Sequence, residues 1–301
     1  MISSKSGAAL LSIASNSVLI TLKLAAGIVT GSIAILTEAI HSVVDLLASV
    51  VAYVSIRKAS VPADRDHPYG HEKVENVAAG AEAMLILVGA GIVGFEAIRR
   101  LGDGSEIESL GFGIGVIAIS LVANLFVSGF LYRRATHFES PVLEGDAAHL
   151  RADALTSAAV LVGLLLVELT GEPAFDAIAA LVVGAAIVGT GVRLMMRSGR
   201  VLLDEVLPAE ELDRVEAAIE ASRPSEMAGY HQLRGRRAGA RRHIDLHVQF
   251  VHGTSLETAH RHAHELRDAI EAEFGAAEVL IHLEPEDSLR PTGKEGPFRS
   301  G

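Results

Sequence analysis

Six apolar runs at 9–29, 34–57, 77–99, 109–133, 147–169 and 174–195 constrain this chain more than any other feature. A helix needs about 20 apolar residues to cross the hydrocarbon core of a bilayer, and each run supplies them. Residues 1–203 are therefore expected to form six transmembrane helices. The first run has only Lys5 ahead of it and passes directly into the second, so it reads as a retained span rather than a cleaved signal peptide.

Beyond Asp204 to Pro208 the pattern changes. Charged and apolar residues alternate as in a small water-exposed domain, in the order helix 209–222, strand 227–236, strand 241–251, helix 255–274, strand 278–284. The expected architecture is an α-helical membrane protein with six transmembrane helices (1–203), a C-terminal α+β domain of order αββαβ (204–290) and a disordered tail (291–301), the tail bearing Gly and Pro.

Orientation follows from the short loops. Arg57, Lys58, Arg65, Lys73, Arg133 and Arg134 lie in the even-numbered connections, and Arg193, Arg197 and Arg200 follow the last run; Arg99 and Arg100 stand opposite. The basic side is cytoplasmic, which puts both termini and the second domain there. A net charge of -11 argues against nucleic acid as a partner and suits the handling of cations. There is no Cys, so metal binding falls to His, Asp and Glu.

Two spellings inside the apolar runs carry chemistry: His41-Ser-Val-Val-Asp45 and His149-Leu-Arg-Ala-Asp153. Residues four apart share a helix face, so each pair sets an imidazole beside a carboxylate. Ionisable groups at membrane depth are costly and usually mark an ion pathway. Two facing pairs would supply two nitrogens and two oxygens, one tetrahedral zinc shell, with Glu38 as a supporting partner. The alternative for a single pair is an interhelical polar clamp.

The loop after the second run reads Asp64-Arg-Asp-His67-Pro-Tyr-Gly-His71. Pro68 and Gly70 enforce a turn that can bring His67, His71 and Asp64 together at a surface site, the alternative being a solvated charged loop. In the second domain, Ile244, Leu246, Val248 and Phe250 share one strand face, with His243, Asp245 and His247 on the other; Ile281 and Leu283 likewise oppose His282 and Glu284. With His231, and with His260 and His264 one turn apart, these residues form either a second metal cluster or a solvated His-rich face.

Taken in order, Gly31-Ser-Ile-Ala, His41-x-x-x-Asp45, His67-Pro-Tyr-Gly-His71-x-Lys73, His149-x-x-x-Asp153 with Thr156-Ser157, and Ile281-His282-Leu-Glu284 resemble the cation diffusion facilitator family over essentially the whole chain. The resemblance implies a homodimer with a ferredoxin-like cytoplasmic domain, in a bacterial cell membrane, exporting divalent metal in exchange for protons. It implies a transport site of His41, Asp45, His149 and Asp153, a loop site of Asp64, His67 and His71, and a cytoplasmic cluster of His231, His247, His260, His282 and Glu284. It also implies an ion pair between Lys73 and Asp204.

Some bacterial members carry Asp at the positions of His41 and Glu284. Two imidazoles with two carboxylates resemble the zinc-preferring members, so Zn2+ is the expected substrate and regulatory ligand, with Fe2+, Co2+ and Cd2+ as further candidates, and manganese is disfavoured. Two other classes remain for the same residues, an intramembrane metal-dependent enzyme and a membrane-anchored metal sensor. The enzyme would need an open coordination position with a nearby base; the sensor would have no use for paired ligands in two spans.

Overall fold

A computed structural model describes residues 4–30, 33–103, 111–172 and 174–288. Six long helices come first: α1 (Lys5–Thr30), α2 (Ile33–Ala59), α3 (Val74–Asp103), α4 (Gly111–Phe138), α5 (Pro141–Thr170) and α6 (Ala174–Leu202). Among the described residues, five of them, α1, α3, α4, α5 and α6, are long and apolar enough to cross a membrane. The run at 34–57 coincides with α2, a helix of 27 residues. The side chains of Glu38 and His41, in its first turns, lie outside the described residues.

The helices outrun the apolar stretches, because apolarity marks the hydrocarbon while helical hydrogen bonding continues into polar turns. The clearest case is α5, which starts at Pro141, six positions before the run at 147–169. Proline fits the first helical position, having no N–H to leave unsatisfied there. At its other end Gly171 takes φ 78°, and its N–H caps the carbonyl of Val167 at 2.8 Å.

Close packing relies on small residues. Ala8, Ala9, Ala52, Ala78 and Ala147 are buried around Leu131, Leu143 and Leu150, where α1, α2, α3, α4 and α5 meet. In hydrocarbon, apolar burial drives association weakly, so near approach of backbones matters more. α6 joins through Ile187 and Leu194, which pack on Ala83, Ile86 and Ala90 of α3. Val18, Phe95, Val122, Phe126 and Leu169 are exposed on the outside, as side chains facing lipid would be.

The described chain divides between Gly199 and Arg200 into two compact units. The second contains α7 (Ala209–Ala221), β1 (Met227–Ala238), β2 (Arg241–Phe250), α8 (Leu256–Ala272) and β3 (Ala277–Pro285). β2 is central, antiparallel to β1 and parallel to β3, with α8 as the crossover. Leu212, Val215 and Ile219 of α7 and Leu266 and Ile270 of α8 pack on Ile244, Leu246, Val248 and Phe250, joined by Ile281 and Leu283. The helices cover one face of the sheet, and the second face stays available to polar side chains. Asp204 accepts a hydrogen bond from Arg236 at 3.3 Å within this unit. The tail at 291–301 lies outside the described residues.

Candidate metal centres

The first centre is built from α2 and α5. His149 and Asp153 stand one turn apart on α5, and Asp45 reaches them from α2. His149 Nε2 is 3.1 Å from Asp45 Oδ1 and 3.9 Å from Asp153 Oδ2. Asp45 and His149 are buried and Asp153 is partly so. One donor atom from each lies within 4.8 Å of the others. A tetrahedral shell with bonds of about 2.0 Å needs ligand atoms about 3.3 Å apart, so small side-chain rotations would close this group on an ion. His41 precedes Asp45 by one turn on α2, but its side chain is outside the described residues.

Behind these ligands is a layer that the sequence pattern did not single out. Asn16 of α1 donates to the carbonyl of Asp45 at 3.4 Å and to Ser49 Oγ at 3.0 Å. Ser12 and Ser49 both donate to Asp146 Oδ1 at 3.1 Å. Asp146 is fully buried, and so, at 1 % exposure, is Glu82 of α3. A signal did exist for Asp146: with His149 and Asp153 it forms an i, i+3, i+7 stripe on one face of α5. Glu82 stands alone in an apolar run and gave none.

The second centre is the loop between α2 and α3. Asp64 Oδ1 accepts from the backbone N–H groups of Asp66 and His67 at 3.0 and 2.7 Å, an Asx turn that folds the loop back on itself. Gly70, at φ 85°, completes the reversal. The rings of His67 and His71 come to 4.4 Å between centroids, and His71 Nε2 is 3.3 Å from Asp64 Oδ2. The backbone hydrogen bond from His67 leads the effects that hold the Asp64 carboxyl below its ordinary value, keeping it ionised as a ligand must be. His71 is buried while Asp64 and His67 are exposed, so the site opens on one side.

The third centre lies on the uncovered sheet face. His231, His247 and His282 occupy neighbouring positions on β1, β2 and β3, since His231 pairs with His247 and His247 with His282. Their rings are 5.1 and 4.6 Å apart in sequence across the sheet. A bulge after His231, with Gln232 at φ 53°, interrupts the alternation of β1 just beside this row. Glu284 spans the row, 2.9 Å from His231 Nε2, 2.7 Å from His247 Nδ1 and 3.5 Å from His282 Nε2. Burial opposes ionisation of Glu284, but hydrogen bonds and charge from His231 and His247 outweigh it and hold the carboxyl below the ordinary range. Among the described residues the tight group is His231, His247 and Glu284. His282 stands beside it and is largely exposed. His260 is outside it, its ring 4.3 Å from that of His264 on α8.

Comparison with known proteins matches residues 9–203 to the cation efflux transmembrane domain and residues 207–286 to the cation efflux protein cytoplasmic domain. The chain is 33% identical over 274 residues to the cation-efflux pump FieF of Shewanella oneidensis, covering 91% of this chain and 92% of that protein. It is 32% identical over 279 residues to the uncharacterised transporter sll1263 of Synechocystis sp., covering 92% and 89%. A solved structure of the zinc-transporter candidate CzrB, 35% identical, covers 27% of this chain and 98% of that one with a TM-score of 0.26.

Proposed function

The chain belongs to the cation diffusion facilitator family of cation efflux transporters, and from that premise we propose that it carries Zn2+ out of the cytoplasm in exchange for protons, at a site formed by His41, Asp45, His149 and Asp153. It is a multi-pass membrane transporter rather than an enzyme. The observation that supports the site best is the buried convergence of Asp45, His149 and Asp153 from two helices.

Nitrogen and oxygen donors in equal number suit zinc, and after it iron, cobalt and cadmium; manganese favours more oxygen. Proton exchange follows from competition for the same lone pairs. Free imidazole titrates near pH ~6.5 and binds metal only when deprotonated, so metal arriving from the cytoplasm expels protons and external protons later displace the metal. Alternating access around one buried site then couples the two fluxes.

The loop residues Asp64, His67 and His71 form a second, open metal site in this reading. The cluster of His231, His247, His282 and Glu284 forms a regulatory one. His260 would reach that cluster only through movement of α8 or from a second copy of the domain. The protein acts as a homodimer in a bacterial cell membrane, with both termini cytoplasmic, and filling the regulatory cluster draws the two cytoplasmic domains together. The position of basic residues in the loops supports this orientation.

Metal uptake into everted membrane vesicles tests the site and the metal together. Zinc uptake should exceed manganese uptake and vanish in Asp153→Ala. Uptake that persists in the variant would remove the site, and a preference for manganese would remove zinc as the substrate.

A further inference from the structure

Glu82 is the buried ionisable group that the metal sites leave unexplained. It is 1 % exposed, and neither carboxylate oxygen has a hydrogen-bond partner. A Cβ placed on Gly145 would meet Glu82 Oε2, so the carboxylate presses against the backbone of α5 next to Asp146. Asp146 is 0 % exposed; its Oδ1 accepts from Ser12 and Ser49, and its Oδ2 has no partner. Three buried carboxylate oxygens therefore lack a donor.

The surroundings supply no Lys or Arg partner among the described residues, and the base near the pair is the metal ligand His149. Ser12 and Asn16 come from α1, Ser49 and Asp45 from α2, and His149 from α5, one turn beyond Asp146. The buried polar groups of α4 are Ser120, Asn124 and Ser128, and α6 meets this part of α3 through Ile187, Leu194 and the uncharged Ser198, which lies against Gly80. Nearby acids are engaged elsewhere: Glu75 with Lys5 and Glu144 with Arg197. Among the described residues no Lys or Arg bonds to Glu82 or Asp146.

Two adjacent carboxylates in a low dielectric cannot both stay ionised without a cation between them. A zinc-type ion fits poorly, because the donors are all oxygen, without an imidazole, and Glu82 is already wedged against the α5 backbone. A proton needs no added volume. We infer that Glu82 and Asp146 form a proton-binding pair separate from the metal ligands, holding one shared proton while the metal site is empty and releasing it to water when a divalent cation binds at His149 and its neighbours. The released proton balances part of the incoming charge: two positive charges arrive one turn from Asp146 and favour the ionised pair. The inference rests on the metal site proposed above.

The test uses the full chain in detergent, with infrared spectroscopy of the carboxylic acid C=O stretch and proton release measured in weak buffer as zinc is added. At neutral pH the zinc-free native chain should show a protonated-acid band that zinc bleaches. E82Q and D146N should lack the band and release about one proton fewer per bound zinc. No such band in the native chain, or a band and a proton count unchanged in both variants, overturns the inference. The native infrared result decides even where a variant does not fold. The metal reading fails separately, when Asp153→Ala binds zinc as the native chain does, and the zinc-free band then still decides whether the pair holds a proton.

Discussion

His149 is the residue on which the membrane site turns, because its single Nε2 faces two carboxylates on two helices. Exchanging that nitrogen for oxygen changes what the site prefers. His149→Asp should lower zinc affinity by at least about tenfold and narrow the gap between zinc and manganese, read by titration calorimetry with both metals. An unchanged zinc-to-manganese ratio would mean that His149 is not a ligand. At Glu284 the consequence concerns pH. Its folded carboxyl lies below the ordinary 4.5, despite burial, because His231 and His247 hydrogen-bond the ionised form. Stability from a lowered carboxyl is fully present above the unfolded value and is lost as pH falls through the folded one. The thermal stability of the native chain should therefore drop in acid more steeply than that of Glu284→Gln; parallel pH profiles would show that the carboxylate contributes nothing.

Among the elements, α5 does most to set the site, and its contacts are close. A Cβ on Gly163 would lie 2.6 Å from Asp176 Oδ1 and 2.9 Å from Asp176 Cα, at the start of α6. Because backbone rather than a flexible side-chain end is in the way, α6 has to shift. Gly163→Ala should cost about 1–3 kcal/mol, seen as a lower unfolding temperature in detergent. A neutral effect would show that the two helices separate there at no cost. α5 also shows what could be read from the sequence and what could not. The pair His149 and Asp153 was legible because 3.6-residue periodicity fixes which side chains share a face. The true start at Pro141, and with it the helical placement of Glu144 and Asp146, was hidden because hydropathy cannot see a polar helical turn. In the cytoplasmic unit strict alternation on β2 and β3 was legible down to the row of His247, His282 and Glu284. The bulge at Gln232 was not, since a positive φ at a non-glycine residue leaves no mark in composition. For His260, sequence spacing gives its neighbour on α8, His264, but not its distance from the sheet cluster, and within one copy of the domain the tight group is His231, His247 and Glu284.

At the scale of the whole molecule, the membrane unit and the cytoplasmic unit each hold a group of His and carboxylate side chains suited to the same class of ion. Apolar side chains face outward in the first and inward in the second, which is the same rule applied in two solvents. The buried polar layer of Ser12, Asn16, Ser49, Glu82 and Asp146 lies against the membrane site, where bilayer insertion alone would favour apolar residues. Its presence is intelligible if charge must enter and leave, as proton-coupled transport requires. The most direct measurement is zinc flux in proteoliposomes with a pH dye inside, started by an imposed proton gradient. Zinc should move against its own gradient while protons move the other way, and Asp153→Ala should abolish both movements. Zinc flux that ignores the proton gradient in a chain that binds zinc would contradict the account.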